Sequence, residues 1–266
     1  MIDSHLHLQD HRFRGKVPAI IDSIRSEGIQ TLVVNGTAPE DWEAVSILAT
    51  EYDEVIPFFG LHPWKVNEVI DTNWKEHLVE MLNRHPEAGI GEIGLDRWIR
   101  DHDLDAQREA FLFQLGLAEK MRRTLAIHCL QAWGSLRDCL EDTNLSVPFL
   151  LHSYGGPGEM LEQFVSLGAR FSISGYFFRP DKAKKLTVFE QVPEDRILLE
   201  TDAPDMLPPP DLIRCPMETD SGETITHPSN LVSIYQAYAN WAGLDLEDAM
   251  IRMRENFANW YRSDRP

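Results

Sequence analysis

A (β/α)8 TIM barrel is the fold class this sequence predicts, and three observations predict it. Short apolar runs of strand length recur eight times along the 266 residues. They are continuously apolar rather than alternating, as in strands buried on both faces of a parallel sheet. Segments with helical periodicity separate them, and eight such repeats over ~250 residues match the size of a barrel. A doubly wound open sheet has the same alternation, because counting strands does not establish closure.

The first run, Ile2 to Leu8, is followed by a helix over Val17 to Glu27, where Val17, Ile20, Ile21 and Ile24 recur at helical spacing. Strand two is Thr31 to Asn35, before a helix over Asp41 to Glu51. Strand three, Val55 to Leu61, precedes a helix over Trp74 to Arg84. Strand four, Ala88 to Gly94, precedes a helix over Asp105 to Met121. Thr124 to His128 and Val147 to His152 read as strands five and six, and a helix over Glu159 to Leu167 leads to strand seven, Arg170 to Ser174. Strand eight is Ile197 to Asp202. The Pro-rich stretch Pro204 to Pro228 is too long for a plain connection and is expected to pack near the site as a loop. Two helices, Pro228 to Ala242 and Leu246 to Tyr261, finish the chain. No repeat, linker or low-complexity segment divides it, so residues 1–266 read as a single domain.

Composition narrows the function. Hydrophobic residues make up 43% of the chain, enough for a sizeable core. No apolar run approaches the ~20 residues of a membrane span. Met1 leads directly into an apolar strand without the basic region of a secretory leader, so a cytoplasmic location is expected. Cys129, Cys139 and Cys215 form no CxxC and read as reduced, mostly buried thiols. A formal charge of −18 excludes a broad electrostatic grip on nucleic acid, so any contact with a polyanion must be local or assisted by metal. No obligate protein partner is predicted.

In a barrel of this kind the chemistry sits at the C-terminal ends of the strands. His5 and His7 stand two residues apart on strand one, so both imidazoles face one side, as a shared metal ion requires. Glu92 on strand four, His128 on five, His152 on six and Asp202 on eight fall at equivalent ends. Each alone has a plain structural role open to it, as a hydrogen-bonded core acid, a satisfied histidine or a helix cap. Together they resist it, because an unpaired ionisable group in an apolar strand is costly to bury. Four histidines and two carboxylates exceed the three protein ligands usual for one catalytic zinc. They suit two divalent ions, with Glu92 able to bridge ions ~3.5–4 Å apart. The chemistry is hydrolysis by activated water, with Glu92 and Asp202 as the catalytic carboxylates and Asp202 orienting the water or taking its proton. Imidazoles favour Zn²⁺, whereas Mg²⁺ and Mn²⁺ prefer oxygen-rich sites, so all three ions stay open. Cys129, adjacent to His128, is expected to face away from the metals. Glu200 reads either as a carboxylate orienting a ligand histidine or as a buried acid paired with an arginine. His11, His77, His85 and His102 read as surface residues.

The runs Asp3-Ser4-His5-Leu6-His7-Leu8, Gly60-Leu61-His62-Pro63, Gly91-Glu92-Ile93-Gly94-Leu95-Asp96, Ile127-His128, Leu151-His152 and Leu199-Glu200-Thr201-Asp202-Ala203-Pro204 occur in this order. They resemble the motifs of the TatD family of metal-dependent hydrolases, within the amidohydrolase-like barrels. The resemblance covers nearly the whole chain. It implies a TIM-like barrel, divalent metals and hydrolysis of phosphodiester bonds, typically as a deoxyribonuclease and often of exonuclease type. By motif it implies that His5, His7, Glu92 and Asp202 hold one ion, that Glu92, His128 and His152 hold the other, and that His62 faces the substrate phosphate.

Departures from the family pattern cluster around the substrate. Leu130 stands where a basic residue usually follows the strand-five histidine by two places. Thr226-His227-Pro228-Ser229-Asn230 replaces an Asn-Glu-Pro element, His152-Ser153-Tyr154-Gly155-Gly156 departs from the usual strand-six motif, and Asp205 adds an acid near the mouth. The same loops carry Lys65, Arg97, Arg100 and Arg179, a local cationic rim, and Trp64, Trp98, Trp133, Tyr154, Tyr176, Phe177 and Phe178, whose faces can stack nucleobases. Of these, Trp64, Lys65, Arg97, Trp98 and Tyr154 are, with His62, the expected substrate contacts. The expected substrate is a phosphodiester, as DNA ends or short single strands, because the negative body repels extended DNA. Hydrolysis of an amide, lactone or carboxylic ester on the same barrel is the first alternative, favoured by Leu130 and Asp205. A barrel that has lost catalysis and serves as a binding or scaffold protein is the second.

Overall fold

The computed structural model describes residues 1–69 and 72–261. Eight parallel strands pair in sequence order: β1 (Ile2–Leu6), β2 (Thr31–Asn35), β3 (Val55–Phe59), β4 (Gly89–Asp96), β5 (Leu125–Leu130), β6 (Phe149–Leu151), β7 (Ala169–Ser174) and β8 (Ile197–Glu200). Just past the ends of β1 and β8, the Asp202 N–H donates to His5 O at 3.0 Å and the His7 N–H to Ala203 O at 2.8 Å. These bonds bring the sheet round on itself, which decides for a barrel over an open sheet. Helices α1 (Val17–Ser26), α2 (Pro39–Glu51), α3 (Trp74–Arg84), α4 (Leu104–Met121), α5 (Trp133–Thr143) and α6 (Leu161–Ser166) lie between successive strands. Of these, α5 was not among the helices expected. After β7 come only 3-10 turns and the four-residue α7 (Ala183–Leu186), since Pro180 and Pro193 remove donors that a longer helix needs. Helices α8 (Leu231–Ala242) and α9 (Leu246–Trp260) close the chain. No helix among the described residues is long and apolar enough to cross a membrane.

Alternation along the strands separates plug from site. Val33, Phe58, Ala126, Leu150 and Leu198 form one buried cluster with Phe257 and Trp260 of α9, filling the lower barrel. Two positions on, the same faces carry Asn35, Gly60, His128, His152 and Glu200, so period two lifts polar residues to the upper rim. The opposite faces, including Leu32, Val34, Phe59, Ile127, Leu151, Ile173 and Leu199, belong to the larger core shared with the helices.

Strand ends differ from the sequence expectation where ligands cluster. β1, β6 and β8 stop at Leu6, Leu151 and Glu200, leaving His7, His152 and Asp202 just beyond, while β4 runs on to Asp96. The stretch from Pro204 to Pro228 is not a plain loop. It contains a hairpin, β9 (Pro216–Glu218) paired with β10 (Thr224–Thr226), and its start, Asp205 to Leu207, lines the mouth. The replaced element is structural: His227 Nδ1 accepts from the Ser229 N–H at 3.0 Å, and Asn230 bonds both the N–H and the O of Cys215.

Candidate metal centre

Two strands are distorted where they carry candidate ligands. The register of β1 on β2 shifts between Asp3 and Leu6, spanning His5, and that of β4 on β5 shifts between Ile90 and Ile93, spanning Glu92. Such irregularities bend the chain and re-aim a side chain. Gly94 then lets β4 close on β5: its φ is +147°, and a Cβ there would lie 1.9 Å from His128 O. Asp202 adopts a left-handed φ of +53°, a conformation Asp tolerates.

The six expected ligand residues converge. Glu92 is buried at the centre and divides its two oxygens. Oε2 lies 3.4 Å from His5 Nε2 and 3.2 Å from His7 Nε2. Oε1 lies 2.8 Å from His152 Nε2, 3.1 Å from His128 Nδ1 and 3.3 Å from His62 Nε2. Asp202 Oδ1 completes the first group, 3.7 Å from His5 Nε2 and 3.6 Å from His7 Nε2.

Outward contacts fix the rings. His7 Nδ1 donates to Asn35 O at 2.8 Å, and His128 Nε2 donates to Asp96 Oδ2 at 2.8 Å, so that in the neutral rings His7 Nε2 and His128 Nδ1 are the inward lone pairs. His152 Nδ1 lies 3.6 Å from Glu200 Oε1, which also accepts from Ser153 Oγ. Glu200 therefore sits behind a ligand-type histidine and not beside an arginine. His62 is the opposite case. Its Nδ1 accepts the Trp64 N–H at 3.1 Å, so the neutral ring carries its proton on Nε2, toward Glu92. Distance alone groups His62 with Glu92 and His128, but a protonated Nε2 is a donor and not a ligand.

Electrostatics follow the same division. Burial lowers the histidines, but Asp202 and Glu92 raise His7, Asp96 and Glu92 raise His128, and Glu92 and Glu200 raise His152. Burial alone would raise Glu92, yet His62, His152 and His5 hold it well below the usual carboxylate range. Burial lowers His5, and lowers His62 to about 4. This donor set fits divalent ions. Both ring nitrogens of His5 are buried without a hydrogen-bond partner, and His5, His7 and Asp202 offer ligand atoms within 4.8 Å of one another. The cluster forms the floor of a cavity of about 1330 Å³, whose walls include Trp64, Lys65, Trp98, Leu130, Tyr176, Arg179 and Asp205.

Several expectations are corrected. Tyr154 is 1% exposed, packs on Trp133 and Phe171, and donates its hydroxyl to Pro157 O, so it is core and not a substrate contact. Phe177 is buried, while Arg97 and Arg100 are exposed but do not line the cavity. His85 is buried, 2.7 Å from Ser46 Oγ and 3.2 Å from Glu87 Oε1, rather than on the surface. Asp205 does not stand as a free acid, because Arg12 grips both its oxygens at 2.8 Å while also binding Asp10. Cys129 is buried, and burial pushes its thiol up, away from nucleophile range. Asp96, Asn35 and Arg12 were absent from the expected site. Asp96 and Asn35 each end an apolar strand with a polar residue, the signal that drew attention to the ligands.

Comparison with known proteins agrees with this geometry. The family model described as TatD related DNase matches residues 2–262. The chain is 30% identical over 207 residues to the uncharacterized metal-dependent hydrolase YjjV of Escherichia coli K12, covering 77% of this chain and 80% of that one. It is 27% identical over 269 residues to a protein of Dickeya dadantii named 3'-5' ssDNA/RNA exonuclease TatD, covering 98% of each. The crystal structure of E. coli YjjV superposes with a TM-score of 0.88 at 24% identity, over 98% of this chain and 97% of that one. A TatD family hydrolase of Entamoeba histolytica gives 0.85 at 18% identity, over 99% and 98%. With a family match running almost end to end and a barrel that superposes over nearly its whole length, the chain belongs to the TatD-related DNase family of metal-dependent hydrolases.

Proposed function

We propose that this protein hydrolyses phosphodiester bonds at the ends of DNA or short single strands, using two divalent ions, Zn²⁺, Mg²⁺ or Mn²⁺. The observation that carries this reading is the division of Glu92, with one oxygen facing His5 and His7 and the other facing His128 and His152. His5, His7, Glu92 and Asp202 would hold one ion, and Glu92, His128 and His152 the other. When bound, divalent ions supply Lewis acidity that acidifies water and neutralises phosphate charge.

The remaining chemistry belongs to the side chains. Asp202 stands at the mouth side of the cluster and takes the proton of the attacking water. As water bonds to phosphorus, the bond to one sugar oxygen breaks, and the proton held by Asp202 returns to that oxygen, directly or through water, so that it leaves as an alcohol. His62, neutral with its one proton on Nε2 and directed at Glu92 Oε1, would turn that proton to a phosphate oxygen once the ions take up the Glu92 oxygens, without needing to change its charge. No nucleophilic side chain takes part. Because Arg12 occupies both oxygens of Asp205, this acid is held in an ion pair, which weakens one of the two features that favoured an ester or lactone substrate.

The test is turnover by purified protein with each ion on bis(p-nitrophenyl) phosphate, short single-stranded DNA, and a panel of esters and lactones, with bound metal counted per chain. Phosphodiester turnover with two ions per chain is expected. Ester or lactone turnover alone would overturn the reading.

A further inference from the structure

We propose that Trp64 and Trp98 form a platform on which an unpaired nucleobase at a strand end stacks, and that Asp96 holds this platform in register with the metal centre. The inference rests on the phosphodiester reading and names which form of strand the site selects.

Among the described residues, the exposed large apolar side chains are Ile47, Trp64, Trp98 and Ile251, and Trp64 and Trp98 face the cavity at 42% and 59% exposure. Water-exposed indoles at the mouth of a polar site are apolar surface without an internal partner. They do not satisfy each other, because their centroids are 6.3 Å apart at 31°, a splayed pair rather than a closed stack. Trp64 stands edge-on to His62 (5.1 Å, 88°) and to His128 (6.0 Å, 74°), within one nucleotide's reach of the proposed reaction centre.

A single buried carboxylate fixes the arrangement. Asp96 Oδ2 accepts from the Trp64 indole at 2.7 Å and from His128 Nε2 at 2.8 Å, while Oδ1 accepts the Trp98 backbone N–H at 2.6 Å. The Trp64 ring and the backbone that carries Trp98 are thus held before a ligand arrives, which removes part of the ordering cost of binding. Tyr176, which also lines the cavity, offers no equivalent, since Arg179 and Lys182 already lie 5.6 and 4.9 Å from its ring centroid. Stacking uses a face that every base has and does not touch the sugar 2'-hydroxyl. The platform therefore accepts DNA and RNA alike and rejects ends whose bases are paired.

The test uses the full chain as purified and phosphorothioate pentanucleotides, which resist hydrolysis, carrying 2-aminopurine or an abasic residue at one end or the other. Binding is followed by fluorescence. At the end that enters the site, 2-aminopurine is expected to be quenched, and the abasic strand to bind roughly 5- to 150-fold more weakly. Trp98→Ala, at an exposed position, is expected to erase most of that ratio. Trp64→Phe, which keeps a ring but loses the bond to Asp96, is expected to reduce it in part. Folded variants, checked by circular dichroism, that keep the wild-type ratio would overturn the platform while bis(p-nitrophenyl) phosphate turnover left the phosphodiester reading standing. Wild-type protein that neither binds the strands nor cleaves that phosphodiester would overturn both.

Discussion

His62 and His128 press against the same oxygen of Glu92, yet their outward hydrogen bonds leave them in opposite states. His128 donates its Nε2–H to Asp96, so its neutral ring turns a lone pair inward, while His62 receives the Trp64 N–H and turns a proton inward. Glu92→Ala and Asp202→Asn are expected to lower turnover by at least about 100-fold with little loss of fold, checked by kinetics on well-folded, metal-loaded protein. Retained activity in both variants would refute the assigned roles. A pH dependence follows from the same cluster. His7, His128 and His152 have folded values raised above 6.5, so their stabilisation of metal-free protein is fully present below 6.5 and is lost as pH rises through the raised values. Glu92, held below 4.5, contributes above 4.5 and loses this as pH falls through its depressed value. Metal needs neutral imidazoles, so the gain in melting temperature on adding metal is expected to widen from about pH 5 to about pH 8. A gap that stays constant with pH would count against this account.

At the scale of elements, the strands were legible because short, continuous apolar runs need cover on both faces, which a parallel sheet between helices provides. Six ionisable residues at their ends announced a site. The ends themselves were less legible, since side-chain chemistry and not hydrophobicity decides where pairing stops at His7, His152 and Asp202. Asp96 and Asn35 also end apolar strands, but their roles were not legible from that: Asn35 meets His7 through a backbone oxygen that any residue would supply, and Asp96 acts on a ring distant in sequence. Tyr154 misleads for a steric reason: in its Gly-rich loop, Gly156 lies where a Cβ would come within 2.5 Å of the Tyr154 ring, letting the chain wrap the ring into the core. Close pairing of β4 and β5 is the most exacting local requirement. Gly94→Ala would drive a Cβ into His128 O and is expected to cost about 3 kcal/mol or more, with weakened metal binding, measured by denaturant unfolding and metal titration. Near-wild-type values for both would show that β4 can shift without disturbing His128.

For the molecule as a whole, a charge of −18 surrounds a mouth whose cations are largely engaged. Arg12 is paired with Asp10 and Asp205, Lys65 with Glu68, and Arg179 with Asp181. Affinity for single strands is therefore expected to rise over the first few nucleotides and then level off, with a shallow salt dependence, measured by anisotropy against strand length. A steady rise with length would point to a basic track beyond the mouth. The barrel seam has one more consequence. Asp3 accepts from Thr201 across a separation of 198 positions, and Asp202 reaches His5 and His7 across the same join. During synthesis the amino-terminal strand emerges long before its last neighbour. A half-made chain holds His5 and His7 but lacks the carboxylate that completes their set, so a ribosome-bound fragment cannot assemble this ligand group before β8 has emerged.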